Sequence, residues 1–401
     1  MKIVKDPVHG YVEIDEALLP LLDSPVLQRL RYIRQLGFSY LVYPGANHTR
    51  FEHALGAMHL AGLVSRQIGL DDHDRLAVSA AALLHDIGHG PFSHASEPLI
   101  EELLGHDHAD VGAILQEGDL TGALERTGIN PEEIISLIAG DHPLAEIIHG
   151  SLDVDRMDYL LRDAHYTGAP YGTVDTQRLI RHIVLTPEGI ALDENGVNAA
   201  ESLLIARTLM RSTVYYHHVS RIAHSMFVLA ALSHLSSQPE SAVRPFLRDN
   251  DSGCLTTLLR SSDPVARDLM QRLYQRRLFK RAVYVGREQV NVPSLQGKRS
   301  LNDLRNISRE IAGHAGIPGH FLLIDIPDFP GNMAIEIQVQ SRHALASLED
   351  VSPLVTTLNE TRREQWRLGV YTLPEYRDRV ALAATEILHI RKPTLQNKLA
   401  L

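Results

Sequence analysis

The feature that most constrains the fold is the segment His85–His94, where an alanine- and leucine-rich helix pattern gives way to glycine and proline. Three histidines and an aspartate fall within these ten residues. An imidazole and a carboxylate at the inner end of a buried helix are unfavourable unless a compensating charge lies beside them. A metal ion is the usual compensation, so this segment predicts a metal site inside a helical core.

Composition sets the outer bounds on fold and function. The chain has 401 residues, enough for one large domain or for a large domain with a smaller annex. Its net charge of −10 argues against a broad nucleic-acid-binding surface. The single cysteine, Cys254, excludes an internal disulfide and a cysteine-based zinc site. The sequence shows no signal-peptide core and no apolar run of membrane-spanning length, which predicts a cytoplasmic protein without membrane partners.

Helical patterns dominate the first two-thirds of the chain and strand patterns enter in the last third. Ser24 and Thr49 carry N-cap signals, and Glu52 stands at the capping-box position after Thr49. The predicted helices cover about 24–36, 50–63, 74–85, 153–165, 199–236, 255–280 and 353–390. The predicted strands are 283–285, 321–326 and 333–339, with a turn at 327–332. We therefore expect a mainly α fold, with a helical bundle core over 1–280 and a smaller α+β region over 281–401 packed on it.

Four residues form the predicted metal site: His53, His85, Asp86 and Asp155. Each belongs to a segment with a helical pattern, and three helices can direct side chains to one point in a bundle core. A mixed imidazole and carboxylate shell suits Mn, Fe, Mg or Zn and does not select among them. A single histidine on an apolar helix is more often a core residue. The His-Asp doublet reverses that preference for the set.

These four residues resemble the H…HD…D signature of HD-domain metal-dependent phosphohydrolases, with the motif region at about 48–165. The resemblance extends to the deoxynucleoside triphosphate triphosphohydrolase branch, most closely to the HD part of the SAM- and HD-domain dNTPase. It covers about residues 1–225 well and the remainder weakly. The segments that carry it, in order, are Asp6–Gly10, Gln28–Arg31, Gln35–Gly37, Pro44–Ala46, Arg50–His53, His85–His94 and Asp153–Tyr159.

The resemblance implies hydrolysis of a dNTP to a deoxynucleoside and inorganic triphosphate, with a divalent metal as cofactor. Such a reaction needs a metal at the α-phosphate and cations along the tail. His94 and His108 would transfer protons, and His106 competes with His108 for that role. Positions that match the family's substrate and catalytic residues are Arg50, His89, His94, His108, Arg156, Tyr159 and Arg207.

The sugar and base would be selected by a further group of residues that the resemblance supplies. Gln35 and Leu36 match the pair beside the ribose, and Tyr215 and Asp163 would close around the 3′-hydroxyl. His217 matches a position near the base. Crowding at the 2′ position would exclude ribonucleotides. For Leu36 alone, a core role is an equally good interpretation.

Three departures from the family pattern could change substrate preference without abolishing the chemistry. Glu97 replaces an aspartate that supports the proton-transfer histidine, and we expect the extra methylene to alter the orientation of His94. Arg211 stands where close relatives have histidine. Arg156 replaces a lysine at a phosphate contact, which keeps the charge and changes its geometry.

Close relatives bind a guanine activator nucleotide between subunits, which implies a homo-oligomer, a dimer or tetramer. The matching positions here are Lys2, Asp23, Gln28, Arg31, Arg276 and Lys280. Two of them, Gln28 and Arg31, could instead form the solvated face of an amphipathic helix. Two other functions stay open. One is a different HD phosphohydrolase (a nucleotidase, a cyclic-nucleotide phosphodiesterase or an alarmone hydrolase), and the other is a non-catalytic nucleotide sensor.

Overall fold

The computed structural model describes residues 2–296, 300–333, 337–341 and 345–391. Helices dominate this part of the chain, which confirms the mainly α prediction. The α-helices are α1 Leu19–Leu22, α2 Pro25–Arg29, α3 Arg50–Gln67, α4 Asp72–Leu84, α5 Glu97–Leu104, α6 Gly112–Leu115, α7 Gly118–Thr127, α8 Pro131–Ala139, α9 Glu146–His149, α10 Val154–Thr167, α11 Thr176–Arg181, α12 Val197–Met210, α13 His218–Leu235, α14 Val243–Leu247, α15 Asp251–Leu259, α16 Pro264–Tyr274, α17 Val292–Gln296, α18 Leu301–Ala315, α19 Leu348–Val351, α20 Pro353–Gln365 and α21 Arg377–Ile387.

Nine short strands form three small sheets within the described residues. The strands are β1 Lys2–Asp6, β2 Gly10–Ile14, β3 Ile183–Thr186, β4 Gly189–Asp193, β5 Lys280–Val285, β6 Leu322–Asp325, β7 Gln338–Gln340, β8 Leu345–Ser347 and β9 Leu368–Thr372. β1 and β2 make an antiparallel hairpin. The second sheet has the order β3-β4-β7-β8, and the third has the order β5-β9-β6.

Three hydrophobic clusters organise the packing. The largest joins α3, α4, α8, α10 and α12 and includes Leu348 and Val355 from the last third of the chain. A second cluster centres on α13, α15 and α16. The third lies between the β5-β9-β6 sheet and the helices α18 and α21. Since β7 pairs with β4, part of the last third belongs to the first core. The predicted boundary near residue 280 stays a prediction.

Sequence periodicity predicted the long helices but did not predict several breaks within them. Glu52 Oε2 accepts a hydrogen bond from the backbone nitrogen of Thr49 at 2.6 Å, which confirms the predicted start of α3. The helix predicted over 24–36 is wrong after Arg29. A 3₁₀ turn follows, and Ile33 is extended. The cause is tertiary, because the buried carboxylate of Asp251 accepts the backbone N–H of Arg34 at 3.1 Å.

Three further helix predictions also needed correction. The segment 255–280 is divided between α15 and α16, and β5 begins at Lys280. The segment 199–236 is divided between α12 and α13 by a π-helical turn at Arg211–Tyr215. The segment 353–390 contains β9, the central strand of the third sheet, between α20 and α21. All five residues of β9 are buried, so an apolar run of this kind does not show a strand period. Of the predicted strand 333–339, residues 334–336 lie outside the described chain.

Candidate active site

The side chains of His53, His85, Asp86 and Asp155 converge on one point. α3 supplies His53, α10 supplies Asp155, and the end of α4 supplies the doublet. The two imidazole Nε2 atoms lie 3.3 Å apart, and His53 Nε2 lies 3.0 Å from Asp155 Oδ1. Asp86 brings one carboxylate oxygen to 3.6 Å from His53 Nε2 and the other to 3.4 Å from His85 Nε2. Ligand atoms at such separations can share one ion at about 2.0–2.2 Å from each.

The Nδ1 atoms of His53 and His85 each make a hydrogen bond outside the cluster. His85 Nδ1 lies 2.8 Å from the carbonyl oxygen of Ala82, which can only accept, so this nitrogen carries hydrogen. His53 Nδ1 lies 2.7 Å from Asp158 Oδ2. In its neutral form, each ring therefore directs its Nε2 lone pair toward the other. Two facing lone pairs with two carboxylates beside them repel one another unless a cation lies between them.

The electrostatics of this group also favour a cation. Burial disfavours the His53 imidazolium, but hydrogen bonds to Asp155 and Asp158 outweigh burial and raise its pKa to about 10. Burial likewise opposes a charge on His85, and the charge of Asp86 together with Asp155 raises its pKa overall. The donor set, its tautomers and its negative surroundings therefore fit a divalent metal ion. Imidazole and carboxylate donors do not distinguish Mn, Fe, Mg and Zn.

A cavity of about 1220 Å³ opens beside this cluster. It is lined by most of the predicted substrate and catalytic residues, whereas His53 is fully buried and is not on the lining. The predicted residues on the lining are Gln35, Leu36, Arg50, His85, Asp86, His89, His94, Glu97, His108, Asp155, Arg156, Tyr159, Asp163, Arg207 and Tyr215.

His217 does not belong to the cavity lining. Its ring caps α13 by accepting the backbone N–H of Val219 at 3.3 Å, and it stacks on His218. The competing histidine His106 also lies outside the lining, whereas His108 is on it. The structure therefore brings His108, and not His106, to the cavity.

Arg50 is buried between the metal cluster and the loop that follows it. Its Nη1 donates to Asp86 Oδ2 at 2.6 Å and its Nε donates to Ser93 Oγ at 2.8 Å. Ser93 adopts a left-handed backbone conformation with φ of 56°, which is unfavourable for a non-glycine residue and is typical of functional loops. Among the described residues, Nη2 of Arg50 has no hydrogen-bond partner. A buried guanidinium nitrogen without a partner indicates an anion-binding position.

His89 and His94 line the cavity with ring centroids 4.9 Å apart, and His89 is buried whereas His94 is exposed. Burial, then the charges of Arg50 and His108, hold the pKa of His89 well below its usual value. The same causes lower the pKa of His94 to about 4. Within the part of the chain that the structure describes, neither ring nitrogen of His89 makes a hydrogen bond. Unsatisfied imidazole nitrogens in a polar cavity are available to a ligand.

Glu97 supports His108. Its Oε1 accepts from the backbone nitrogen of His108 at 2.9 Å and lies 2.8 Å from His108 Nδ1. The His108 ring stacks on His89 with centroids 3.9 Å apart. This close approach needs Gly88, because a Cβ there would lie 2.0 Å from the carbonyl oxygen of His108. We expected Glu97 to act on His94, but the structure places its hydrogen bonds on His108.

Four arginines, Arg156, Arg207, Arg211 and Arg362, form what we call the arginine cluster. Burial and the charge of Arg156 lower the pKa of Arg207. Burial and the charges of Arg207 and Arg211 lower the pKa of Arg362 to about 10. Arg362 is 7% exposed, and its Nε has no hydrogen-bond partner among the described residues. Like charges of this kind, one buried and three half-buried, are stabilised when an anion binds between them.

Sequence reasoning missed Arg362 and also His48. Arg362 reaches the cluster on α20, far from the recognised motifs, and no local signal distinguishes it from neighbouring Arg363. His48 Nε2 lies 2.8 Å from Asp163 Oδ1, and the hydroxyl of Tyr215 donates to Asp163 Oδ2 at 2.8 Å. His48 stands directly before the N-cap of α3, a position that could have suggested a role.

The predicted activator residues divide into two places. A second cavity of about 230 Å³ is lined by Lys2, Asp23, Gln28 and Arg31, together with Asp6 and other residues of the N-terminal hairpin. Arg276 and Lys280 are not on that lining. Arg276 instead donates to the carbonyl oxygen of Leu41 at 3.1 Å. Within one chain, the structure brings together four of the six residues.

In the described part of the chain, no helix combines the length and apolar character required to cross a membrane.

Family models match two adjoining regions. The model of the HD domain matches residues 50–163, and the model of the HD associated region matches residues 174–399.

Individual proteins resemble this chain over most of its length. An uncharacterized protein of Methanocaldococcus jannaschii is 33% identical over 379 residues, which cover 94% of this chain and 80% of that protein. The deoxynucleoside triphosphate triphosphohydrolase SAMHD1 of Homo sapiens is 30% identical over 374 residues, which cover 78% of this chain and 59% of the human protein. The crystal structure of a phosphohydrolase from Bacteroides thetaiotaomicron superimposes with a TM-score of 0.73 at 25% identity, covering 93% of this chain and 100% of that one.

Proposed function

This chain belongs to the HD-domain phosphohydrolase family, and on that premise we propose that it hydrolyses deoxynucleoside triphosphates to a deoxynucleoside and inorganic triphosphate. The observation that carries the proposal is the position of three arginines. Arg50, Arg156 and Arg207 line the same cavity as His85, Asp86 and Asp155, three of the four residues that fit a metal. Three guanidinium groups beside a predicted metal site suit a ligand with several phosphates.

The arginines would bind the triphosphate tail. Arg50 presents its unpartnered Nη2 beside Asp86, and so it would bind the phosphate nearest the metal. Arg156 and Arg207 would bind the phosphates farther along the tail, with the charges of Arg211 and Arg362 adding to the local potential. Positive groups held in place before the reaction stabilise the charge that develops on the departing triphosphate.

His53, His85, Asp86 and Asp155 would hold the metal ion. A bound divalent cation supplies Lewis-acid stabilisation of phosphate charge. Hydrolysis forms a bond from water oxygen to the α-phosphorus and breaks the bond from the α-phosphorus to the 5′-oxygen. The attacking water loses a proton, and the 5′-oxygen takes the bonding electron pair and gains one. His108 is oriented by Glu97 through Nδ1, which leaves Nε2 to exchange a proton with the substrate.

The other end of the cavity would hold the deoxyribose. The Oε1 atom of Gln35 is buried and has no hydrogen-bond partner among the described residues. Leu36 adds an apolar wall, and Asp163 is held in place by Tyr215 and His48. Crowding of the 2′ position by Gln35 and Leu36 would clash with a 2′-hydroxyl, so we expect ribonucleotides to be rejected.

We further propose that a guanine nucleotide activates the enzyme from the second cavity. Arg31 donates to Gln28 Oε1 at 2.7 Å, and Lys2 Nζ lies 3.9 Å from Asp23 Oδ1. These pairs would reorganise around a purine and its phosphates. Because Arg276 and Lys280 lie elsewhere in the chain, the complete site requires a second copy, and the proposal therefore includes a homo-oligomer.

The test is incubation of the purified protein with Mn²⁺ and each dNTP, followed by separation of the inorganic products. Tripolyphosphate supports the proposal. Pyrophosphate or monophosphate indicates another HD phosphohydrolase activity. Absence of turnover together with nucleotide binding indicates a sensor. A parallel incubation with GTP tests activation, and the four ribonucleotides test selection of the sugar.

A further inference from the structure

The metal-site residue His53 is tied to the N-terminal hairpin by a buried set of polar side chains. We call Asp6, His9, Asp158 and Arg162 the positioning network. Asp158 and Arg162 lie on α10, whereas Asp6 and His9 lie at the turn of the β1–β2 hairpin. Asp158 and Arg162 are both fully buried. None of the four was assigned a role by the sequence motifs.

Asp158 is the centre of this network. Its Oδ2 lies 2.7 Å from His53 Nδ1 and accepts from Arg162 Nε at 2.8 Å. Its Oδ1 accepts from Arg162 Nη2 at 2.9 Å and lies 2.6 Å from His9 Nε2. Two histidines and the Nε/Nη2 edge of one guanidinium therefore surround one carboxylate. This saturates its lone pairs and fixes its orientation.

Asp6 extends the network into the hairpin. Its Oδ2 accepts from Arg162 Nη1 at 2.8 Å. Its Oδ1 accepts from the backbone nitrogens of Val8 and His9, each at 2.8 Å. Those two bonds shape the turn that presents the His9 ring to Asp158. Asp6 also lines the second cavity, so a ligand there would lie against the same hairpin.

Packing against α3 leaves the network little freedom. A Cβ at Gly56 would lie 1.8 Å from Asp158 Oδ1 and 2.5 Å from Arg162 Nη2. Gly56 is three residues after His53 on the same helix, so this contact and the His53 hydrogen bond use one face of α3. The glycine is required by close approach, and alanine there would displace the carboxylate.

We propose that the positioning network holds His53 in the tautomer and orientation that bind the metal, so that the N-terminal hairpin is a working part of the active site. A partner that accepts from Nδ1 leaves Nε2 as the metal donor and strengthens its basicity. His9 and Arg162 fix that partner, and Asp6 fixes both of them. These are positioning residues, because their contacts reach the reaction only through His53.

The test measures metal binding directly, with Mn²⁺ and Co²⁺ and without nucleotide. His9→Phe keeps the shape of the ring and removes its hydrogen bond, while Gly56→Ala displaces Asp158 and removes no functional group. We expect each variant to bind Mn²⁺ about 10–100-fold more weakly. The visible absorption bands of the Co²⁺ protein should also shift, since they report ligand geometry. Glu13→Ala, an exposed change on the same hairpin, is the matched control.

The outcomes separate this inference from the proposed function. Weaker Mn²⁺ binding by folded His9→Phe with an unchanged control supports the network. Wild-type affinity and spectrum in folded His9→Phe would overturn it, as would an equal loss in Glu13→Ala, which would indicate general weakening of the hairpin. If Gly56→Ala fails to fold, His9→Phe decides alone. The inference rests on the proposed function only through the metal, so a protein inert toward dNTPs would leave the result valid.

Discussion

Glu97 and His108 form a two-point contact, in which one carboxylate oxygen meets both the backbone nitrogen and the ring Nδ1 of the same histidine at 2.9 and 2.8 Å. Burial opposes the charge on Glu97, but the contacts with His108 outweigh it and lower the pKa of the carboxyl. Glu97 therefore stays ionised and holds the His108 ring through Nδ1. This is the arrangement a proton-transferring histidine needs.

Glu97→Gln should lower kcat and leave KM almost unchanged. The amide can keep one hydrogen bond to His108 but removes the negative charge that stabilises its protonated form. We expect a loss of about 10–100-fold, within the range for impaired acid–base catalysis. Steady-state kinetics with a dNTP measure it. Glu125→Gln, an exposed change on α7, is the control. An unchanged kcat would remove His108 from the proton-transfer role.

Asp155→Ala should abolish both metal retention and turnover. Asp155 Oδ1 lies 3.0 Å from His53 Nε2, so its loss removes a donor from the shared point. Metal analysis of protein dialysed against trace Mn²⁺ should show at most a small fraction of the wild-type content. Asp110→Ala, at an exposed position, should keep both properties. A variant that retains full metal content would contradict the ligand assignment.

Arg362→Met should weaken nucleotide binding and stabilise the protein without nucleotide. The side chain is buried beside Arg207 and Arg211, and those charges lower its pKa. Removing this buried charge from among several like charges relieves repulsion, yet it also removes part of the potential that attracts a triphosphate. We expect roughly tenfold weaker binding, about 1.4 kcal/mol, and a higher Tm. Calorimetry and thermal unfolding measure the two effects.

The neighbouring Arg363→Met provides the comparison, because Arg363 pairs with Glu360 at the surface of the same helix. It should leave nucleotide affinity unchanged. Equal affinities for the two variants would show that Arg362 has no part in binding the tail.

Stability should fall as the pH drops below about 6.5, in part because of His59. Burial, then the charges of His9 and Arg66, lower the pKa of His59 to about 4 in the folded protein. In the unfolded chain a histidine has a pKa near 6.5, so the unfolded state binds the proton first. The contribution of neutral His59 is complete above pH 6.5 and is lost progressively toward pH 4.

The measurement is the change in Tm of metal-free protein between pH 7.5 and 5.0. His59→Gln should show a smaller decrease than the wild type, whereas His73→Gln, at an exposed surface position, should match the wild type. Identical pH dependence in wild type and His59→Gln would mean that His59 is not neutral in the fold.

Asp23→Ala should blunt activation by a guanine nucleotide while metal content stays at the wild-type level. Asp23 lies on the second cavity, beside Lys2. Its carboxylate would accept hydrogen bonds from the purine edge, a contact that alanine cannot make. Initial rates at increasing GTP concentrations measure the effect, with Glu13→Ala as the comparison. A wild-type protein indifferent to GTP would end the proposal of an activator site.

The sequence predicted the features that depend on neighbours along the chain. The N-cap of α3 and the positions of the long helices follow from residues within one or two turns. The HD doublet is informative because burying an imidazole and a carboxylate side by side in an apolar helix is unfavourable without a compensating charge. Family resemblance extended this local information to Asp155, 69 residues beyond Asp86.

The tertiary structure alone decided the partners of those residues. Asp158 meets His9 across 149 positions, Arg162 meets Asp6 across 156, and α20 brings Arg362 to a cluster of arginines that it does not adjoin in sequence. The tertiary structure also ends the helix predicted over 24–36 at Arg29, and it places β9 within the helix predicted over 353–390. The physical reason is that periodicity records which face of a segment is buried, whereas a hydrogen bond or a charge interaction depends on which distant segment packs against that face.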